Sequence, residues 1–369
     1  MMFTMMPCSF LFFFITILGT CLSLSSTHWL GIWAGLEINL IGFIPLIMFR
    51  GQMTETESGI KYLIIQALAS SILMMGSLLC FSTSMTWEIV SLTSYNNNHV
   101  LLLLILVSLA MKLGMFPFHF WVPPVMAGLS WPGCAMLATW QKLAPLFLLA
   151  SFIQSWTTTL TLTTLILMAL ISSLIGGFGG INQTQLRAIL AYSSIAHTGW
   201  MAYSALLGDT VIKIYFIIYF MVSISLFLFL WSVENLFMVN NMSVAWTKTK
   251  LIQLLILTIL LSLGGLPPFL GFIGKWTTIY FSTMTYTPLL IIPLILGSLL
   301  SLFYYLSLLF SLTLISSTKM TPSTPMMHPL MSQMPHPTPI LITNMFILLL
   351  NLVGGVLIMF TLPFTEFMI

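Results

Sequence analysis

Charge is what this sequence lacks. Of 369 residues only 10 are Lys or Arg and 7 are Asp or Glu, 5% in all, against about a quarter in an ordinary soluble domain. A water-facing surface needs roughly a quarter to a third of its residues charged, and this chain cannot make one. Soluble enzymes, nucleic-acid binders and disordered proteins are excluded on that ground. The net charge of +3 is too small and too scattered to mark a basic patch. Cysteine is scarce too. Cys8, Cys21, Cys80 and Cys134 form no CxxC and share no close spacing, so they offer neither a disulfide framework nor a metal or iron–sulfur site. Residues 1–26 are apolar but lack the basic region of a secretory signal and the arginines of a transit peptide. A retained first helix is the expectation.

What is there is apolar. Hydrophobic residues make up 59% and the mean hydropathy is +1.08. A spanning helix needs about 20 mostly apolar residues. On that scale the chain reads as an all-α polytopic membrane protein with about eleven spans, near 8–24, 29–49, 61–81, 99–120, 126–151, 158–177, 187–207, 212–235, 252–282, 288–315 and 339–362. Long alternating strands of the outer-membrane kind are absent from the pattern. The stretch from Thr321 to Pro339 carries six prolines and reads as a loop.

Basic residues set the expected orientation. Loops after even-numbered spans hold Arg50, Lys61, Arg187, Lys248, Lys250 and Lys319, while the opposite loops hold Lys213. The richer side faces the cytoplasm or, in an organelle, the matrix. The N-terminus then lies on that side and the C-terminus on the other, which in a mitochondrion is the intermembrane space.

The motif G-x-x-P-F occurs twice, as Gly114 to Phe118 and as Gly265 to Phe269, five spans apart. A repeat with an odd number of helices inserts its second copy upside down. Proline-interrupted spans at matching places in two inverted halves point to a transport site. The expected division is residues 1–151 and 158–315 as two inverted five-helix repeats, 316–338 as a Pro-rich loop, and 339–369 as a last helix and tail.

Most charges fall in loops or at helix ends, but Glu37, Lys112, Lys142 and Lys275 do not. An ionisable side chain near the bilayer centre costs roughly 2.5–3.5 kcal/mol, and such groups mark ion or proton pathways by default. The plainer alternatives are a structural ion pair or a lysine reaching out to the interface. Reaching out fits poorly for Lys112, about 18 Å along its span at 1.5 Å per residue. Prolines stand close by. Pro117 cannot bond the carbonyl of Leu113, nor Pro145 that of Gln141, and Pro267 and Pro268 free those of Leu263 and Gly264. Unpaired carbonyls in lipid need protein or water to satisfy them, so broken helices beside lysines suggest a hydrated interior. A lysine away from bulk water exchanges its proton readily. Glu37 is the natural counter-charge.

Histidines say less. His197 sits among Tyr192, Ser193, Ser194 and Thr198 and fits a proton relay or a hydrogen-bonded core residue equally. His119 follows the first break and could extend a path from Lys112. No facing pair of mid-membrane histidines suggests a haem. Gly176 to Gly180 misses the GxGxxG spacing and no strand precedes it, so nucleotide binding is not expected.

These same residues carry a family resemblance. The stretches Thr27 to Asn39 around Glu37, Lys112 to Pro123, Thr139 to Pro145, Gly180 to His197 and Gly264 to Trp276 resemble the antiporter-like membrane subunits of respiratory complex I, and among them the NADH dehydrogenase subunit 2 family. The resemblance implies a proton-translocating subunit of the mitochondrial inner membrane with no redox cofactor of its own. FMN, iron–sulfur clusters and ubiquinone belong to other subunits. It implies a charged axis of Glu37, Lys112, Lys142 and Lys275, and as partners related antiporter-like subunits, small accessory subunits and lipids, with no nucleic acid. Full-length relatives have fourteen helices, so eleven implies the shortened form of bilaterian animal mitochondria, lacking three at the N-terminus. Two readings compete: a free-standing cation/proton antiporter, and a structural membrane scaffold. A single deep acid disfavours a sodium site, which prefers several oxygen ligands. A scaffold gains nothing from three mid-membrane lysines.

Overall fold

The computed structural model describes residues 9–49, 51–88, 99–155, 159–239, 250–285, 288–317, 349 and 351–355. Thirteen α-helices in chain order carry those residues: α1 (Ser9–Ser25), α2 (Trp29–Ile47), α3 (Met53–Ser84), α4 (His99–Leu113), α5 (Val122–Gly128), α6 (Trp131–Ala138), α7 (Trp140–Ser155), α8 (Thr159–Ile181), α9 (Leu186–Leu207), α10 (Asp209–Val239), α11 (Lys250–Gly264), α12 (Leu270–Met284) and α13 (Ile291–Ser317). Residues 351–355 add one more helical turn. Among the described residues the only strand-like pairing is an isolated bridge between His28 and Glu88. The Pro-rich loop, most of the last expected span, and Arg50, Lys248 and Lys319 lie outside the described residues.

Among the described residues six helical stretches are long and apolar enough to cross a membrane: Trp29–Ile47, Met53–Ser82, Trp131–Ile153, Thr159–Ile181, Asp209–Trp231 and Pro288–Ser311. Three shorter apolar helices, Ser9–Ser25, Val100–Leu113 and Leu255–Gly264, fall below that length. The structure moves several expected boundaries. The third span starts at Met53 rather than near 61, because Thr54, Glu55 and Glu57 begin a helix that continues into the apolar run. The fourth stops at Leu113, and what hydropathy joins as 126–151 is three helices. Two of these begin with proline in the first turn, at Val122-Pro123-Pro124 and Trp131-Pro132. Proline is well placed there because its missing N–H is one the helix start leaves unbonded.

Two helix pairs cross with backbones touching. A Cβ at Gly19 on α1 would stand 2.5 Å from the Asn39 nitrogen on α2, and one at Gly176 on α8 would stand 2.5 Å from the Ala196 nitrogen on α9. Both crossings join residues twenty apart. Without a water-driven force between helices in lipid, close packing through small residues supplies the attraction.

The apolar interior divides into two clusters by depth. One takes Trp29, Ile32 and Leu36 of α2, Leu146 to Ile153 of α7, Trp200 to Ala205 of α9, and Ile212 to Tyr219 of α10. The other takes Phe43 and Ile47 of α2, Leu137 and Ala138 of α6, Ile189 to Ile195 of α9, and Val222 to Phe229 of α10. On α2, α9 and α10 the clusters hold opposite halves of the same helix, and their order alternates between neighbours, as antiparallel helices require. Arg187 marks the second end. It lies 3.8 Å from Glu234 and 4.8 Å from the Trp131 ring centroid, joining the start of α9 to the far part of α10 and the start of α6. Between the clusters, along α2, α7 and α9, fall Glu37 and Asn39, Gln141 and Lys142, and His197 and Thr198. The polar residues form a belt at mid-depth.

Candidate functional site

Both helix breaks end in the same local structure. Gly114 (φ +71°) and Gly265 (φ +77°) take the left-handed conformation that glycine reaches without steric cost. At the first break Met115 N donates to Ala110 O (3.0 Å) and Gly114 N to Met111 O (3.3 Å); at the second Leu266 N donates to Leu261 O (3.3 Å) and Gly265 N to Ser262 O (3.0 Å). These two bonds are the Schellman close of a helix. The peptides before Pro117 and Pro268 are both cis.

A Schellman close leaves the last two carbonyls of the helix unbonded. At the second break these belong to Leu263 and Gly264, and a lysine takes the second of them. Lys275 Nζ donates to Gly264 O at 2.8 Å. Leu263 lines the same small cavity as the His197 ring. Lys275 lies so close that a Cβ on Gly265 would stand 2.9 Å from its Nζ.

The first break opens beside a small polar cavity. Lys112 and Lys142 both line it, with Asn39, Tyr62, Gln66, Gln141 and the ring of Trp121. Its size and the polar groups in its mixed wall suit ordered water. Lys112 is 7% exposed and Lys142 4%, so neither ammonium reaches the surface. Glu37 on α2 is half-buried and acts on Lys112 electrostatically. The two are described residues, and no ion pair within 4.0 Å joins them.

Lys142 faces two ways. Its Nζ donates to Ser194 O on α9 at 2.9 Å and lies 5.6 Å from the centroid of the Tyr219 ring on α10. The Tyr219 hydroxyl donates to Ala138 O at 3.3 Å. The Tyr219 ring stands 5.1 Å from the His197 ring, and His197 Nδ1 is joined to the Tyr215 hydroxyl by a 3.0 Å hydrogen bond. Both Lys142 and Lys275 act on His197 electrostatically. The structure therefore gathers Lys112, Lys142, His197 and Lys275 into one belt, with Glu37 at its start.

His119 stands apart. It is buried after the first break between Phe116 and Phe120, does not line the lysine cavity, and its Nδ1 has no hydrogen-bond partner. Pro117, Pro267 and Pro268 lie in the two turns, past helices already closed at Gly114 and Gly265.

Sequence reasoning missed several members of the belt. Asn39 and Gln141 face each other across α2 and α7, with Asn39 Nδ2 donating to Gln141 Oε1 (2.9 Å) and Gln141 Nε2 to Asn39 Oδ1 (3.1 Å). The Tyr62 hydroxyl also donates to Gln141 Oε1, at 3.3 Å. Tyr215 and Tyr219 were not singled out either. The available signal was an amide two residues from Glu37 and another beside Lys142 in otherwise apolar helices.

A helical membrane protein with buried lysines set at two matching helix breaks is, by that arrangement, of the transporter class. The model of the NADH:quinone oxidoreductase/Mrp antiporter transmembrane family matches residues 26–301, and the chain belongs to that family. It is 42% identical over 296 residues to the NADH-ubiquinone oxidoreductase chain 2 of Dasypus novemcinctus, covering 79% of this chain and 82% of that one. It is 40% identical over 290 residues to the chain 2 of Locusta migratoria, covering 78% and 80%. Among solved structures, a chain of respiratory complex I from Thermus thermophilus superposes with a TM-score of 0.76 at 25% identity, covering 96% of this chain and 79% of that one. A chain of the Mrp complex from Dietzia shares the fold, with a TM-score of 0.73 at 19% identity, covering 94% and 75%.

Proposed function

We propose that this chain is a core membrane subunit of NADH:ubiquinone oxidoreductase that carries protons across the membrane without redox chemistry of its own. The observation that carries the reading is the belt of buried titratable groups, from Lys112 and Lys142 at one cavity to His197 and Lys275 at the second break. Glu37 supplies a negative charge that attracts a protonated Lys112. When a change in the neighbouring subunits weakens that influence, the proton leaves Lys112 for Lys142. From there it passes by His197 or water to Lys275. Lys275, bonded to Gly264 O, stabilises the second break while it holds the proton.

FMN, iron–sulfur clusters and ubiquinone are assigned to other subunits of the complex. The proposed partners are related antiporter-like subunits, small accessory subunits and lipids. The proposed setting is the mitochondrial inner membrane, with the Arg187 end and the N-terminus on the matrix side and the C-terminus towards the intermembrane space. The matching closes at Gly114 and Gly265 and the matching crossings at Gly19 and Gly176 support two inverted five-helix repeats within about eleven spans.

A free-standing cation/proton antiporter is the second reading, favoured by the fold shared with the Mrp complex. Purification separates the two. The subunit reading expects this chain in a particle far larger than 41.3 kDa on a native gel, and a stable, active single chain excludes it. A structural scaffold is excluded by loss of pumping in an assembled lysine variant.

A further inference from the structure

The reciprocal amides of Asn39 and Gln141 lie in the wall of the cavity that Lys112 and Lys142 share. An amide offers two N–H donors and an oxygen with two lone pairs. Gln141 Oε1 already accepts from Asn39 Nδ2 and from the Tyr62 hydroxyl, so both its lone pairs are used. Gln141 Nε2 gives one N–H to Asn39 Oδ1. One N–H on each amide is left over. Both side chains are buried, at 4% and 9% exposure, and both line the cavity.

A cavity facing spare N–H donors receives a water by its oxygen. That leaves the water's hydrogens directed away from the amides, and a second lone pair open to a lysine. Two positive dipoles also disfavour a metal cation or a hydronium resting there. The carrier is thus neutral water passing a proton, and not a bound ion.

We infer that Asn39 and Gln141 are positioning residues for proton transfer between Lys112 and Lys142, one of their spare N–H groups holding the water that bridges the two lysines. The inference rests on the reading of this chain as a proton carrier. In the step, the N–H bond of protonated Lys112 breaks and a new O–H bond forms on the water. One of the water's other O–H bonds breaks and an N–H bond forms on neutral Lys142. Lys112 ends neutral, Lys142 ends charged, and the water is unchanged. Lys142 keeps its anchor on Ser194 O throughout. Tyr62 acts by saturating Gln141 Oε1, which keeps that oxygen from turning to the cavity.

Gln141→Met keeps the volume and removes the hydrogen bonds. It is tested in the whole complex in phospholipid vesicles beside Lys112→Met, by NADH oxidation, proton uptake and the rate ratio between H2O and D2O per assembled complex. The expected result is an assembled complex with turnover roughly tenfold lower, the scale of one lost hydrogen bond, and a raised isotope ratio. The paired exchange Asn39→Gln with Gln141→Asn should restore both. A packing role would lower the amount assembled without moving the isotope ratio. If Gln141→Met does not assemble, Asn39→Leu is measured in the same way, and a water-resolved map of the unaltered complex decides in either case. Density for a water within hydrogen-bond distance of Gln141 Nε2 or Asn39 Nδ2 and of both lysines is expected. No such density, or an assembled amide variant with unaltered rate and isotope ratio, overturns the inference. Normal pumping by Lys112→Met would instead overturn the proton-carrier reading beneath it.

Discussion

Lys275 donates a 2.8 Å hydrogen bond to the carbonyl of Gly264, eleven residues back across the break in its own span. One side chain thereby does two things. It satisfies a carbonyl that the end of α11 leaves open in a region without bulk water, and it sets an ionisable group beside His197. Removing the lysine removes both, so the proposed proton path shares a residue with the closure of the backbone.

Gly265 tests that coupling. Alanine there meets a left-handed backbone, costing roughly 1–2 kcal/mol, and its methyl runs into Lys275 at 2.9 Å. Gly51 is left-handed too (φ +63°) but has nothing within 4 Å. Gly265→Ala should lower both pumping and thermal stability, while Gly51→Ala should lower stability alone and by less. Equal effects would mean that Lys275 is not held by this turn.

The helix crossings give a second prediction. Gly176→Ala forces a Cβ to 2.5 Å from the Ala196 backbone nitrogen, so α8 and α9 must separate. At Gly133 the nearest atom would be the Ser130 hydroxyl at 3.4 Å, an ordinary contact. Native gels should show markedly less assembled complex with Gly176→Ala and an unchanged amount with Gly133→Ala. The same loss in both would discount the crossing.

The proposed orientation gives a third. Single cysteines placed at Asn97 and at Ser332, in a background without Cys8, Cys21, Cys80 and Cys134, should react with impermeant reagents from opposite faces of the membrane. Reaction of both from one face would show that a span has been miscounted between them.

Lysines in apolar runs and a repeated G-x-x-P-F announced the belt in the sequence, because charge in lipid is too costly to occur without cause. The open carbonyls of Leu263 and Gly264 were legible from the prolines, and the structure adds what fills the second: Lys275. Asn39, Gln141, Tyr62, Tyr215 and Tyr219 were not legible. An uncharged polar residue in an apolar helix costs little enough to face lipid, a neighbour or a cavity, and only tertiary packing tells which. Hydropathy also ran past the real helix ends at Leu113 and Gly128, since averaging over about 20 residues hides a turn of a few. The depth of the belt was hidden for a different reason. It emerges only when two apolar clusters are seen to take opposite halves of the same helices.

Glu37 and Lys112 should differ in what their loss does. Glu37 makes no direct ion pair with Lys112, and in the proposed path it acts through its charge alone. Glu37→Gln should therefore slow turnover while leaving some pumping, since Lys112 still titrates. NADH oxidation coupled to proton uptake measures this, and a complete loss of pumping with assembly intact would assign Glu37 a direct role.

The most direct test of the whole account is Lys112→Met in the intact complex in sealed vesicles, with NADH oxidation and proton uptake followed together. Methionine fills the same apolar space and cannot take a proton. The account predicts a fully assembled complex whose proton uptake through this subunit is lost, with NADH oxidation slowed accordingly. Unaltered oxidation and an unaltered number of protons per NADH would contradict it and leave Lys112 a structural residue.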